Sequence, residues 1–117
     1  MKKKDFKIGN LVFFATTIAE VIAIHEDGIV LKYSDKFEYV KLMVEGVREI
    51  PITDEWFHKF GFELKEGVFW YDNVSILGLE GDRYLHFDGG RIFIRTVHQL
   101  QNLFFALTGK ELTLKEN

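Results

Sequence analysis

At 117 residues with 47% hydrophobic content, the chain can build one compact domain or two very small lobes around a real core, which excludes intrinsic disorder. Fifteen Lys and Arg against 18 Asp and Glu, with a pI near 5.8, exclude a global positive field of the kind that steers proteins onto nucleic acid, though not a local basic patch. The absence of cysteine excludes a disulfide framework and thiolate chemistry.

The opening MKKKDFKIGNLVFFATTIAEVIAI has the outline of a secretory signal, a basic start before an apolar run. The turn signal Gly9-Asn10, then Thr16, Thr17 and Glu20, interrupt that run, and no small-residue cleavage site follows. We therefore expect neither a signal peptide nor a membrane span, and a cytoplasmic protein whose Lys2-Lys3-Lys4 run is a solvated terminus.

Turn chemistry then organises the first half. Asp27-Gly28 between two β-branched runs is a hairpin signal, because a type I′ turn needs positive φ; Ser34-Asp35-Lys36 and Glu45-Gly46 mark further turns. The strands expected are Leu11 to Phe14, Thr17 to His25, Ile29 to Tyr33, Phe37 to Val44 and Val47 to Ile50, the outline of a five-stranded SH3-like small β-barrel. Pro51 ends the run, since proline cannot donate to a ladder. A two-turn helix follows in TDEWFHKFG, with Thr53 as N-cap, Asp54 and Glu55 at the positive end of the dipole, and Gly61 closing it. Trp56, Phe57 and Phe60 make one apolar wedge, expected to plug the barrel or join the two halves.

In the second half GVFWY, VSILGL, RYLHF and RIFIR, separated by turn signals, predict a four-stranded antiparallel meander. A two-residue turn at Gly89-Gly90 would set Phe87 opposite Ile92, His86 opposite Phe93, Leu85 opposite Ile94 and Tyr84 opposite Arg95. Leu85, Phe87, Ile92 and Ile94 then share the face to be covered. The cover is a helix from Val97 to about Leu107, opened by a Thr96/Gln99 capping box and closed by Gly109. Its apolar stripe is Val97, Leu100, Leu103, Phe104 and Leu107, and Leu112 with Leu114 suggests a terminal edge strand. The fold class is α+β, with a β lobe at 1–50, a linking helix at 51–62, and meander plus helix at 63–117.

From Thr96 to Thr108 there is no Lys, Arg, Asp or Glu, although charged residues make up 28% of the chain. The helix face opposite the stripe holds His98, Gln101, Asn102 and Phe105, groups suited to a half-dry contact with the chain itself, a second copy or another protein. The alternative surface is a sheet face with Tyr84, His86, Phe93 and Arg95, where aromatics beside arginine can stack and neutralise a single-stranded nucleic acid; the acidic pI disfavours it. For chemistry the sequence offers little. His86 and Asp88 lack a third metal ligand, His25 sits at a turn, His58 on a polar helix side, and no nucleophile elbow or phosphate loop occurs. The expectation is an interaction protein without catalytic residues, metal or cofactor.

IPITDEWFHKFGF at 50–62 and VHQLQNLFFALTGKELTL at 97–114 resemble the shared segments of a family of small uncharacterised proteins from Bacteroides-type bacteria and their prophages or mobile elements. KIGNLVFF resembles that family's opening strand, while Phe57 and His58 stand where leucines would be expected. The resemblance implies a bacterial or phage protein of the cytoplasm and carries over no catalytic residue.

Overall fold

The computed structural model describes residues 6–14, 17–25, 28–32, 39–42, 47–79 and 81–115. Its class is α+β, in two units, Met1–Ile50 and Pro51–Asn117, each with its own antiparallel sheet.

The first unit carries β1 (Leu11–Phe14), β2 (Thr17–His25), β3 (Gly28–Lys32), β4 (Tyr39–Leu42) and β5 (Val47–Arg48), in the sheet order β4-β3-β2-β1-β5. A turn at Lys7 to Asn10 leads in: Gly9 has φ +97°, and Asn10 accepts the Lys7 N–H on Oδ1 at 2.7 Å. Alternation along the strands sends Val12, Ala19, Val21, Ile29, Leu31 and Val47 into one core with Phe6. The β2–β3 register slips between Val21 and Ala23, an irregularity that bends the sheet. No hydrogen bonding joins β4 to β5 among the described residues, so the sheet is not a closed barrel there. The last strand stops at Arg48, two residues short of expectation. Gly28 opens β3 opposite His25 instead of lying in the turn, and Asp27 and the turns at 34–36 and 45–46 lie outside the described residues.

The second unit begins with Pro51, bridged to Thr96, and α1 (Asp54–Lys59). Thr53 is the N-cap by backbone geometry but makes no side-chain cap bond. Inside this unit the aromatic wedge packs ring on ring: Phe57 meets Phe62 at 5.8 Å and Phe69 at 5.1 Å between centroids, and Trp56 tilts on Phe60. The sheet has five strands, β6 (Glu63–Lys65), β7 (Val68–Tyr71), β8 (Val74–Leu79), β9 (Asp82–Phe87) and β10 (Gly90–Ile94), each pairing with the next. The extra strand, β6, is exposed throughout and carries no apolar alternation; its turn, Glu66-Gly67 at φ +52° and +83°, was its one signal.

The β9–β10 turn is Asp88-Gly89, at φ +50° and +81°, rather than Gly89-Gly90. Phe87 therefore faces Gly90, His86 faces Arg91, Leu85 faces Ile92 and Tyr84 faces Phe93. The ladder moves by two residues, so every side chain keeps its expected face while every partner changes. On the core face Leu85 and Ile94 are fully buried, but Ile92 on the edge strand stays exposed.

That helix, α2 (Val97–Thr108), is capped as its sequence indicates: Thr96 Oγ1 accepts the Gln99 N–H at 3.3 Å, and Gly109 closes it at φ +76°. The second arm of the box differs. Gln99 Oε1 accepts the Arg95 N–H at 2.8 Å, while its Nε2 donates to the Phe93 carbonyl at 2.9 Å. One amide thus engages the two main-chain groups a further strand would use, and the Ile52 N–H takes the Arg95 carbonyl, so the end of the β10 edge is sealed. Phe104 anchors α2 against the core face through Tyr71 at 4.9 Å and Phe62 at 6.2 Å. Among the described residues the tail forms no strand: Leu112 is buried, Leu114 is exposed, and the Lys115 N–H donates to the Lys59 carbonyl. Among the described residues no helix is long and apolar enough to cross a membrane.

Candidate binding face

The charge-free side of α2 is divided by the fold. His98 and Gln101 are 7% and 4% exposed, Asn102 is half-buried, and Phe105 remains 43% exposed. His98 Nδ1 lies 3.3 Å from Thr96 Oγ1, at the buried start of the helix. Amides and an imidazole at these positions reflect burial within the chain, where a lysine or glutamate would carry an uncompensated desolvation cost. They do not form a continuous outer surface.

The second sheet does. Cross-strand partners share a face, so the ladders set Trp70, Ser75, His86 and Arg91 in one row and Leu77, Tyr84 and Phe93 in the next, all opposite the core. Trp70 is 40% exposed at one end and Phe93 42% exposed at the other. Three strand spacings of about 4.8 Å separate the columns of Trp70 and Arg91, roughly 14 Å. Between them the half-buried Tyr84 ring lies 5.5 Å from the Phe93 ring between centroids and has the Arg91 guanidinium over it at 5.3 Å.

Four of the cations on this unit are paired locally. Lys59 pairs with Glu55, Lys65 with Glu63, Arg83 with Asp54 and Lys110 with Asp72, at 2.7 to 3.6 Å. Arg91 and Arg95 have no such carboxylate among the described residues. Arg95 does not meet Tyr84. It follows β10 and lines a shallow cleft beside Phe93 whose other walls include Asp54, Glu55 and Asp82. Arg91 takes the place at Tyr84 that the mistaken turn assigned to Arg95.

The same face holds an unsatisfied group: His86 Nε2 is buried without a hydrogen-bond partner. Asp88 lies in the turn at positive φ and so does not share a strand with His86. Among the described residues no group of three or more His, Asp or Glu side chains could hold a metal ion. Parity already set Arg91 on this face with Phe93, but its place beside Tyr84 and the alignment of Trp70 in the row depend on register; Asp88-Gly89, a stronger I′ pair than Gly89-Gly90, was the signal that would have placed Arg91. No family model matches the chain, and no curated protein or solved structure matches it.

Proposed function

We propose that this chain is a non-enzymatic interaction protein whose contact surface is the outer face of the second sheet, around Trp70, Tyr84, Arg91 and Phe93. The observation that carries the reading is the exposure of two large aromatics, Trp70 and Phe93, on a sheet whose other face already supplies the core. The part of an aromatic side chain left in water adds little to the fold it is attached to, and contact surfaces are enriched in aromatics and in arginine. The helix face first expected to serve this purpose keeps only Phe105 well exposed, with Asn102 half-buried. In the same reading the first sheet is an SH3-like small barrel, supported by the return of β5 beside β1, and the protein works in a bacterial or phage-infected cytoplasm, as the resemblance implies.

The test compares Trp70→Ser with Phe93→Ser combined, against Phe105→Lys alone, by light scattering over a range of concentrations and by ligand titration. Association lost in the sheet double variant and kept in Phe105→Lys supports the reading. Association that survives the double variant but is lost in Phe105→Lys overturns it and returns the contact to α2.

A further inference from the structure

We propose that the occupant of this face is a short run of single-stranded nucleic acid lying across the strands from β7 to β10; the inference rests on the outer face being the contact surface. The face asks for two things at once, flat π-surfaces and an anion. Trp70 and Phe93 supply exposed rings at its two ends, with Tyr84 between, and a base can stack on any of them regardless of its identity. Arg91 supplies the counter-charge. Its guanidinium is held against the Tyr84 ring, a position that leaves its N–H edges available to a phosphate, and among the described residues no carboxylate pairs with it. Two acids share this side of the sheet: Glu63, engaged by Lys65, and Asp82, at the far end of β9 in the cleft with Arg95 and away from Arg91. The His86 Nε2 beneath adds an unsatisfied polar atom that a base edge can satisfy once the side chains above it part.

The span fits. Roughly 14 Å from Trp70 to Arg91 corresponds to about four nucleotides at the stacked rise of about 3.4 Å, and to fewer in an extended strand. A second copy fits less well, because an isologous pairing of this face would bring two unanswered arginines onto one apolar surface. The net charge of −3 disfavours a polyanion overall without excluding a local site, and it limits the number of phosphate contacts. With Arg91 as the cation, the slope of log affinity against log salt is about −0.7, a loss of about 2.6-fold between 50 and 200 mM.

The test is fluorescence anisotropy with a labelled oligo-dT of about twelve nucleotides, within the site size of single-strand binders, and a duplex of equal length as control. Binding of the single strand in preference to the duplex is expected. Trp70→Ala should weaken it roughly 5- to 150-fold, the loss of one stacked base. Arg91→Ala should flatten the salt slope by about 0.7, and Arg91→Lys should restore the slope without the full affinity. Both positions are on the outer face, and a circular dichroism melt checks that each variant folds. Absence of binding, or binding indifferent to both variants, overturns the proposal. If the oligonucleotide fails while the protein associates with itself and loses that association in the Trp70→Ser, Phe93→Ser variant, the ligand is wrong and the contact surface stands. If neither occurs, both fall.

Discussion

Replacing His86 by leucine should stabilise the second unit. Nε2 of His86 is buried with no partner, and a buried polar atom left unpaired costs roughly 1–3 kcal/mol against the same atom in water. Leucine is close in size, adds no polar atom and suits the half-buried slot between Ser75 and Arg91. Imperfect packing returns part of the gain, so the net expectation is about 1 kcal/mol of added stability, or about 4–8 °C in Tm for a unit of this size. Both tryptophans, Trp56 and Trp70, lie in the second unit, so tryptophan emission during urea unfolding reads that unit alone. His86→Asn is the control: it keeps an unsatisfied group and should show no gain. Should the leucine variant lose 1 kcal/mol or more at unchanged m-value, Nε2 has a partner in solution and the group is not a liability. A gain in stability accompanied by loss of oligonucleotide binding is the pattern of a residue retained for function at the expense of the fold.

Two further outcomes follow from the anchoring of α2. Phe104 is fully buried against Tyr71 and Phe62, so Phe104→Ala should cost about 3–5 kcal/mol, most of the stability of a small unit, read as a collapse of the urea midpoint by tryptophan emission. Gly109 has φ +76° and open space where a Cβ would stand, so Gly109→Ala carries only the conformational penalty of the left-handed region, about 1 kcal/mol, seen as a Tm lower by about 4–8 °C; Gly109→Asn should lose less.

What was readable in the sequence is what short-range chemistry controls. Thr96 and Gly109 bracket α2 because a hydroxyl acceptor and a left-handed residue are local requirements, and β1 and β2 run over the residues their β-branched and aromatic content marked out. Both helices and the antiparallel class follow from the same signals. The face of each β9 and β10 side chain was also legible, because parity survives a two-residue slip. What was not legible depends on pairing: Arg91 rather than Arg95 reaches Tyr84 only because Asp88 accepts positive φ, and Trp70 joins the row through Ser75 and His86 on two other strands. β6 escaped because Glu63, Leu64 and Lys65 all lie in solvent, and an unburied strand leaves no hydrophobic period to read.

The charge-free face of α2 illustrates how burial and contact leave the same mark in a sequence. Uncharged polar residues suit any surface removed from bulk water, whether the cover is the chain or a partner, so composition alone does not separate the two. Substituting each half of the face does. Gln101→Glu would place a carboxylate where the side chain is 4% exposed, and taking that ion out of water should cost about 1–3 kcal/mol, lowering Tm by about 4 °C or more. Phe105→Lys, at a position 43% exposed, should change stability by less than about 0.5–1 kcal/mol and leave the molar mass untouched. The reverse pattern, a neutral Gln101→Glu and a dissociating Phe105→Lys, would mean that α2 faces a partner in solution, and the outer sheet face would lose its claim to be the principal contact.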